Sequence, residues 1–212
     1  MISAVIFDMD GTLLNTLEDI KESTNFALSS LGFPNCSIEE IKNFVGDGVK
    51  LLFERAIPVK HDENSLNECI KIFKKHYSEN MYKNTKPYPN IIESLNELKK
   101  LNIKIGVVSN KFDNAVKELS KKYFNNLIDI SVGQSDNIPQ KPSPNGVFKA
   151  LRYLNTNNAV YVGDSDVDVK TAKNSQLPCI GVTWGYRDIK FLKGADYIIN
   201  SPIELLEIVR KM

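Results

Sequence analysis

The stretch Ala4-Val5-Ile6-Phe7-Asp8-Met9-Asp10-Gly11-Thr12 constrains this chain more than any other. Four consecutive apolar residues rich in β-branching read as a strand buried on both faces, as in a parallel sheet. The apolar run stops at two carboxylates that flank one side chain and precede Gly-Thr. A rigid rod therefore delivers Asp8 and Asp10 to its tip. Held close together, like charges raise the cost of ionising both unless a cation lies between them. That arrangement suits Mg²⁺, which takes one or two carboxylates and completes its shell with water and substrate phosphate. Asp and Gly are also ordinary turn residues, so the stretch by itself is equally consistent with a strand running into a solvated turn.

The residues that follow predict helices only. Leu17, Ile20, Thr24, Ala27, Leu28 and Leu31 recur at helical spacing behind a Thr16 cap and end at Gly32 and Pro34. Ser37 with Glu40 forms a capping-box pattern ahead of Ile38, Ile41, Phe44 and Val45, and Gly46-Asp47-Gly48 breaks it. Val49, Leu52, Phe53, Ala56 and Ile57 predict a short helix stopped by Pro58, and Leu66, Cys69, Ile70, Phe73, Tyr77 and Met81 a longer one. Four helices without an intervening strand bury their faces against one another as a small bundle.

Beyond Pro87 and Pro89 the pattern alternates helix with strand. Strands are predicted at 103–108, 127–132, 160–162, 179–182 and 197–199, with an amphipathic helix closing the chain from Ile203 to Val209. The expected fold class is α/β, a doubly wound, Rossmann-like parallel sheet with helices on both faces. The opening strand belongs with this region. The expected organisation is a catalytic core of residues 1–14 and 86–212 with an inserted helical cap domain at 15–85.

Composition narrows the partners. Twenty-seven Lys and Arg against 26 Asp and Glu give a formal charge of +1, without the basic excess of a nucleic-acid or anionic-membrane binder. Cys36, Cys69 and Cys179 are far apart and not in metal-ligand spacing, so they read as free thiols in a reducing compartment. The two histidines, His61 and His76, lie in no Cys/His cluster, which argues against zinc. With no signal-peptide pattern and no apolar run approaching ~18 residues, the expectation is a soluble, cytoplasmic protein, monomer or homodimer. Lys111-Phe112-Asp113 and Lys121-Lys122 read as solvated faces.

In an open parallel sheet, ligands sit beyond the carboxyl ends of the strands. The unusual polar residues of this chain fall there: Asp8 and Asp10 after the first strand, Ser109 and Asn110 after the second, Lys141 in a Pro-rich loop, and Gly163-Asp164-Ser165-Asp166-Val167-Asp168 after 160–162. Singly, Ser109 is a plausible helix cap, Lys141 a surface lysine, and the later acids favourable charges at a helix N-terminus. Jointly they converge on one sheet edge. Carboxylates there would hold a divalent cation, and a hydroxyl and an ammonium would bind phosphate. An Asp carboxylate can attack phosphorus to give an aspartyl phosphate, while a second one moves protons. Gly46 and Gly48 permit close backbone approach to a ligand, and Arg55 offers a bidentate fork to a substrate carboxylate.

Asp8-Met9-Asp10-Gly11-Thr12, Ser109, Lys141 before Pro142, and the 163–168 run, in that order, resemble the four motifs of the haloacid dehalogenase superfamily. The resemblance spans the whole chain, including a helical insert just after the first motif. It implies a Mg²⁺-dependent phosphatase with Asp8 as nucleophile and Asp10 as general acid/base. Thr12, Ser109 and Lys141 would contact the phosphoryl group, with Asn110 beside them. Mg²⁺ would be held by Asp8, the backbone carbonyl of Asp10, and Asp164, with Asp168 in support. The dehalogenase branch lacks an acid at the Asp10 position. Sugar phosphomutases carry a histidine where this chain has Ile20, and phosphonate hydrolases use a cap lysine, for which Lys21 and Lys50 are available in a dissimilar context.

The phosphoglycolate phosphatase group is the most similar, through Leu17-Glu18-Asp19-Ile20, Leu31-Gly32-Phe33-Pro34, Val45-Gly46-Asp47-Gly48, Glu54-Arg55-Ala56 and Thr183-Trp184-Gly185-Tyr186. Asn15 departs from the Asp of many relatives. The implied partner is a small phosphorylated metabolite. A pyrophosphatase, a nucleotide or sugar-phosphate phosphatase and a phosphomutase of the same fold remain alternatives, as does a non-catalytic phosphate-binding or phospho-acceptor regulatory module, which would need neither Asp10 nor the helical insert.

Overall fold

A computed structural model describes residues 2–57 and 63–212, so the Pro58 helix stop and His61 lie outside the described residues. Strand β1, Ala4–Phe7, is wholly buried. Its side chains alternate between two apolar clusters. Val5 and Phe7 join one, and Ala4 and Ile6 join the other, as the period of two in a strand requires. Burying side chains such as Val5, Ile6 and Phe7 stabilises the fold by about 1.5–3 kcal/mol each.

Around β1 the sheet is built from β4 (Lys104–Phe112), β5 (Ile130–Gln134), β6 (Ala159–Gly163), β7 (Cys179–Val182) and β8 (Tyr197–Ile199). The order is β5-β4-β1-β6-β7-β8, and every neighbouring pair is parallel. Helices α5 (Ile91–Lys100), α6 (Asp113–Phe124) and α9 (Glu204–Lys211) bury their apolar faces in the cluster of Val5. Helices α7 (Asn145–Leu154) and α8 (Asp166–Asn174) bury theirs in the cluster of Ile6. The doubly wound α/β sheet expected from the sequence is therefore present. Strand order reverses at β1, which opens a crevice at the carboxyl ends of β4, β1 and β6.

Helices α1 (Leu17–Ser30), α2 (Ile38–Phe44), α3 (Gly48–Ala56) and α4 (Glu63–Asn80) pack on one another between the first two long strands. Ser37 and Glu40 form the expected reciprocal capping box. A two-stranded antiparallel ribbon brackets the bundle, pairing β2 (Leu14–Asn15) with β3 (Lys86–Pro87). Two-residue strands carry no readable period, so the sequence gives no hint of them. The returning chain is fixed by Asp19, which is buried in α1 and accepts hydrogen bonds from the Asn84 N–H (2.9 Å), the Thr85 N–H (2.9 Å) and the Thr85 hydroxyl (2.7 Å).

Three local expectations are corrected. The strand predicted at 127–132 begins later: Asn125, at φ +45°, ends α6, a 3-10 turn follows over Asn125–Leu127, and pairing occupies Ile130–Gln134. The strand predicted to end at Val108 continues to Phe112 through a register shift against β5. Thr16 stands at the N-cap of α1, but its hydroxyl bonds no helix N–H. Among the described residues, no helix is long and apolar enough to cross a membrane.

Candidate active site

After β1 the chain turns tightly, with the Met9 carbonyl accepting from the Leu13 and Leu14 N–H groups, both at 3.0 Å. Gly11 makes the turn possible. Its φ is +86°, and a Cβ there would lie 2.5 Å from Oδ2 of Asp164. The turn leaves Asp8 facing the loop before α7 and residues that follow β6.

Asp8, Asp164 and Asp168 each bring a carboxylate oxygen within 4.8 Å of the others, and all three are buried. Lys141 stands among them, its Nζ 2.8 Å from Oδ1 of Asp8 and 2.7 Å from Oδ1 of Asp168. Burial alone would lower its pKa, but Asp168 and Asp8 hold it well above the usual lysine range. Asp168 is fully engaged. Its Oδ1 accepts from Lys141 and from the Tyr161 hydroxyl (3.1 Å), and its Oδ2 from the Ser165 N–H (3.1 Å) and hydroxyl (2.6 Å) in the capping box that starts α8. Asp164 accepts from the Thr12 hydroxyl (3.3 Å) and the Tyr186 N–H (2.7 Å).

Burial pushes the Asp8 carboxyl up to about 7, with Lys141 opposing and Asp168 and Asp10 adding to the rise. Burial, then Asp168 and Asp8, pushes Asp164 up to about 8. Three carboxylates around one ammonium leave a formal charge of −2 in a buried site. Oδ1 of Asp8 lies at ion-pair distance from Lys141 yet off the direction of a hydrogen bond. All-oxygen donors, uncompensated negative charge and an orphaned carboxylate oxygen fit a hard divalent cation.

Asp10 is turned away from this cluster. Its Oδ1 accepts from the Thr16 hydroxyl at 2.6 Å, and its Oδ2 lies 3.2 Å from Nζ of Lys111. Asp8 and Asp10 line one cavity together with Gly46, Gly48, Ser109 and Lys111. Its remaining wall includes Ile20, Val45, Val49, Leu52 and Phe73 from the helical bundle. Gly48 opens α3 at φ +84°, where a Cβ would approach Oε1 of Gln140 to 2.8 Å.

Two residues expected to meet phosphate are engaged elsewhere. The Thr12 hydroxyl bonds Asp164. The Asn110 amide donates to the Gly46 carbonyl (2.9 Å) and the Lys141 carbonyl (3.2 Å) and accepts from the Lys141 N–H (2.6 Å). Asn110 therefore ties together the two chain segments that flank the cavity. Arg55 pairs with Asp47 (2.6 Å), donates to the Phe44 carbonyl (3.1 Å) and lines a separate surface groove, because α3 turns Leu52 and Phe53 inward and leaves the Arg55 face outward. In that groove Arg187, following β7, donates to the carbonyls of Lys42, Asn43 and Val45 at the end of α2.

Lys111 is a correction. It reads as solvated, but its side chain is 5% exposed and reaches the cavity. The signal lies in the strand extension: β4 runs on to Phe112 and carries Lys111 to the cavity beside Ser109. Trp184 and Tyr186 also reach the residues after the first strand. The indole N–H of Trp184 donates to the Thr12 carbonyl (3.0 Å), and the Tyr186 hydroxyl accepts from the Thr16 N–H (2.8 Å).

Comparison with known proteins gives the family of the chain. The family model of haloacid dehalogenase-like hydrolases matches residues 5–182. A phosphoglycolate phosphatase of Aquifex aeolicus (strain VF5) is 33% identical over 212 residues, covering 97% of this chain and 95% of that protein. One from Vibrio parahaemolyticus is 30% identical over 222 residues, covering 98% and 96%. Among solved structures, one assigned to a phosphoglycolate phosphatase of Lactobacillus delbrueckii subsp. bulgaricus superposes with a TM-score of 0.92 at 31% identity, covering 99% of each chain. CbbY from Rhodobacter sphaeroides, solved in complex with phosphate, superposes at 0.84 with 25% identity, covering 97% and 96%. By its sequence and its fold, the chain belongs to the haloacid dehalogenase-like hydrolases.

Proposed function

We propose that the protein is a Mg²⁺-dependent phosphatase that hydrolyses a small phosphomonoester, phosphoglycolate or a close analogue, through an aspartyl phosphate on Asp8. The observation that carries this reading is the divergence of two acids on one strand tip. Asp8 enters the buried cluster with Lys141, whereas Asp10 turns to Thr16 and Lys111 at the cavity. A carboxylate oxygen of Asp8 attacks phosphorus and the ester P–O bond breaks, with a proton passing from Asp10 to the departing oxygen. Asp10 then takes a proton from water, which attacks the same phosphorus and returns Asp8 and inorganic phosphate. Lys141 and the Ser109 hydroxyl steady the phosphoryl oxygens. Asp8, Asp164 and the Asp10 backbone carbonyl would hold Mg²⁺, which neutralises phosphoryl charge when bound.

The same reading makes residues 15–85 a cap over the core of residues 1–14 and 86–212, hinged at the β2/β3 ribbon, which admits substrate and excludes water. The names of the Aquifex and Vibrio relatives support the substrate class. Ile20 in the cavity wall speaks against a mutase, since it has no proton to exchange. Lys21 and Lys50 pair with Glu18 and Glu54 on the bundle surface, which speaks against a phosphonate hydrolase. The test is phosphate release from a panel of small esters with and without Mg²⁺, comparing the wild type with Asp8→Asn. No release from any ester, or undiminished release by the variant, overturns the reading.

A further inference from the structure

Lys111 is a buried lysine that the chemistry above leaves without a role. Its ammonium lies 3.2 Å from Oδ2 of Asp10, donates to the Tyr77 hydroxyl at 3.0 Å, and stands 4.4 Å from the centroid of the Tyr77 ring. An ammonium has three donors. Asp10 and Tyr77 take two, which leaves one for an occupant of the cavity that Lys111 lines. Among the described residues lining that cavity it is the one with a cationic side chain. Lys141 serves the phosphoryl end, and Arg55 and Arg187 face the outer groove.

The position of this charge has a chemical meaning. The ester oxygen that leaves must face Asp10, so the next few atoms of the leaving group lie beside the Lys111 ammonium. Around them the bundle presents Ile20, Val45, Val49, Leu52 and Phe73, and β4 presents Phe112. These walls offer no side-chain hydrogen bonds. A leaving group bearing several hydroxyls would surrender its hydrogen bonds to water without replacement, whereas a single carboxylate two or three bonds from the ester oxygen would find a buried counter-charge.

Building on the phosphatase reading, we propose that Lys111 is the specificity-determining cation of the site, binding the carboxylate of a short phosphorylated acid. Tyr77 positions that ammonium from helix α4, so recognition spans the sheet and the helical bundle. Sugar phosphates are poor substrates on this account, and short phosphorylated acids are good ones.

The experiment compares kcat and KM for phosphoglycolate and for ethyl phosphate, which lacks the carboxylate, in Mg²⁺-containing enzyme. Wild type favours phosphoglycolate. Lys111→Met lowers kcat/KM for phosphoglycolate by about 50-fold, mainly through KM, and for ethyl phosphate by less than about fivefold. Lys111→Arg recovers part of the discrimination. Tyr77→Phe raises KM for phosphoglycolate severalfold more than for ethyl phosphate, and it decides the matter should Lys111→Met not fold. Equal losses on both esters would mean that Lys111 only positions Asp10, and would overturn the inference. A wild type that hydrolyses both esters with equal kcat/KM, or neither of them while releasing phosphate from other esters, overturns this inference alone, while no release from any ester overturns the phosphatase reading beneath it.

Discussion

The hydroxyl of Thr16 donates a 2.6 Å hydrogen bond to Oδ1 of Asp10. Thr16 is the residue from which α1 departs, so the start of the helical bundle is tied to the acid proposed to move protons. The Tyr186 hydroxyl, from the loop after β7, accepts from the Thr16 N–H at 2.8 Å. Removing the Thr16 hydroxyl frees Asp10 to rotate without touching the phosphoryl end. Thr16→Val is expected to lower kcat about tenfold with little change in KM, as steady-state kinetics on phosphoglycolate would check.

Lys141 compensates Asp8 and Asp168, both buried. Replacing it with an apolar side chain of similar length strands those carboxylates. In metal-free protein, Lys141→Met is expected to lose about 3–5 kcal/mol of stability, the usual cost of breaking a buried pair from one side. The urea midpoint of the two proteins measures it. Adding Asp168→Asn should recover part of the loss, because one stranded charge then disappears.

The raised carboxyls give stability a pH dependence. Folded Asp8 and Asp164 hold their protons up to about 7 and about 8, whereas in the unfolded chain both would titrate near 3.8. Over that window the folded state binds more protons, so raising the pH from about 4 to about 8 works against the metal-free fold. A divalent cation needs these oxygens deprotonated and replaces the protons as counter-charge. The Tm gain on adding Mg²⁺ should therefore be larger at pH 8 than at pH 6 by thermal denaturation, and Asp164→Asn should flatten the difference.

How far the sequence reveals this site depends on what kind of signal each residue leaves. Asp8 and Asp164 end apolar runs, and a parallel sheet with a strand-order reversal brings such ends together whatever the loops do. Lys141 has no periodic context of its own, so singly it reads as a surface lysine and gains meaning only beside the other polar groups at the sheet edge and through the resemblance. Lys111 is misread because the apolar run stops at Val108, whereas β4 stays extended to Phe112. Arg55 lies away from that cavity for a different reason. The helix is evident, but its rotation about its own axis is fixed by packing of Leu52 and Phe53, which the pattern alone does not orient toward the cavity. Thr16 looks like an ordinary helix cap, and only the spatial return of the 184–187 loop shows why its hydroxyl turns to Asp10 instead.

Covalent transfer to Asp8 is tested most directly by trapping it. Mg²⁺-loaded enzyme turning over phosphoglycolate is quenched in acid within milliseconds, reduced with borohydride, and mapped by peptide mass spectrometry. An acyl phosphate at Asp8 is converted to homoserine at that position, and the account predicts that product at Asp8, absent without substrate. Substrate consumption with no modified Asp8, or homoserine appearing at Asp10 or Asp164 instead, would contradict it.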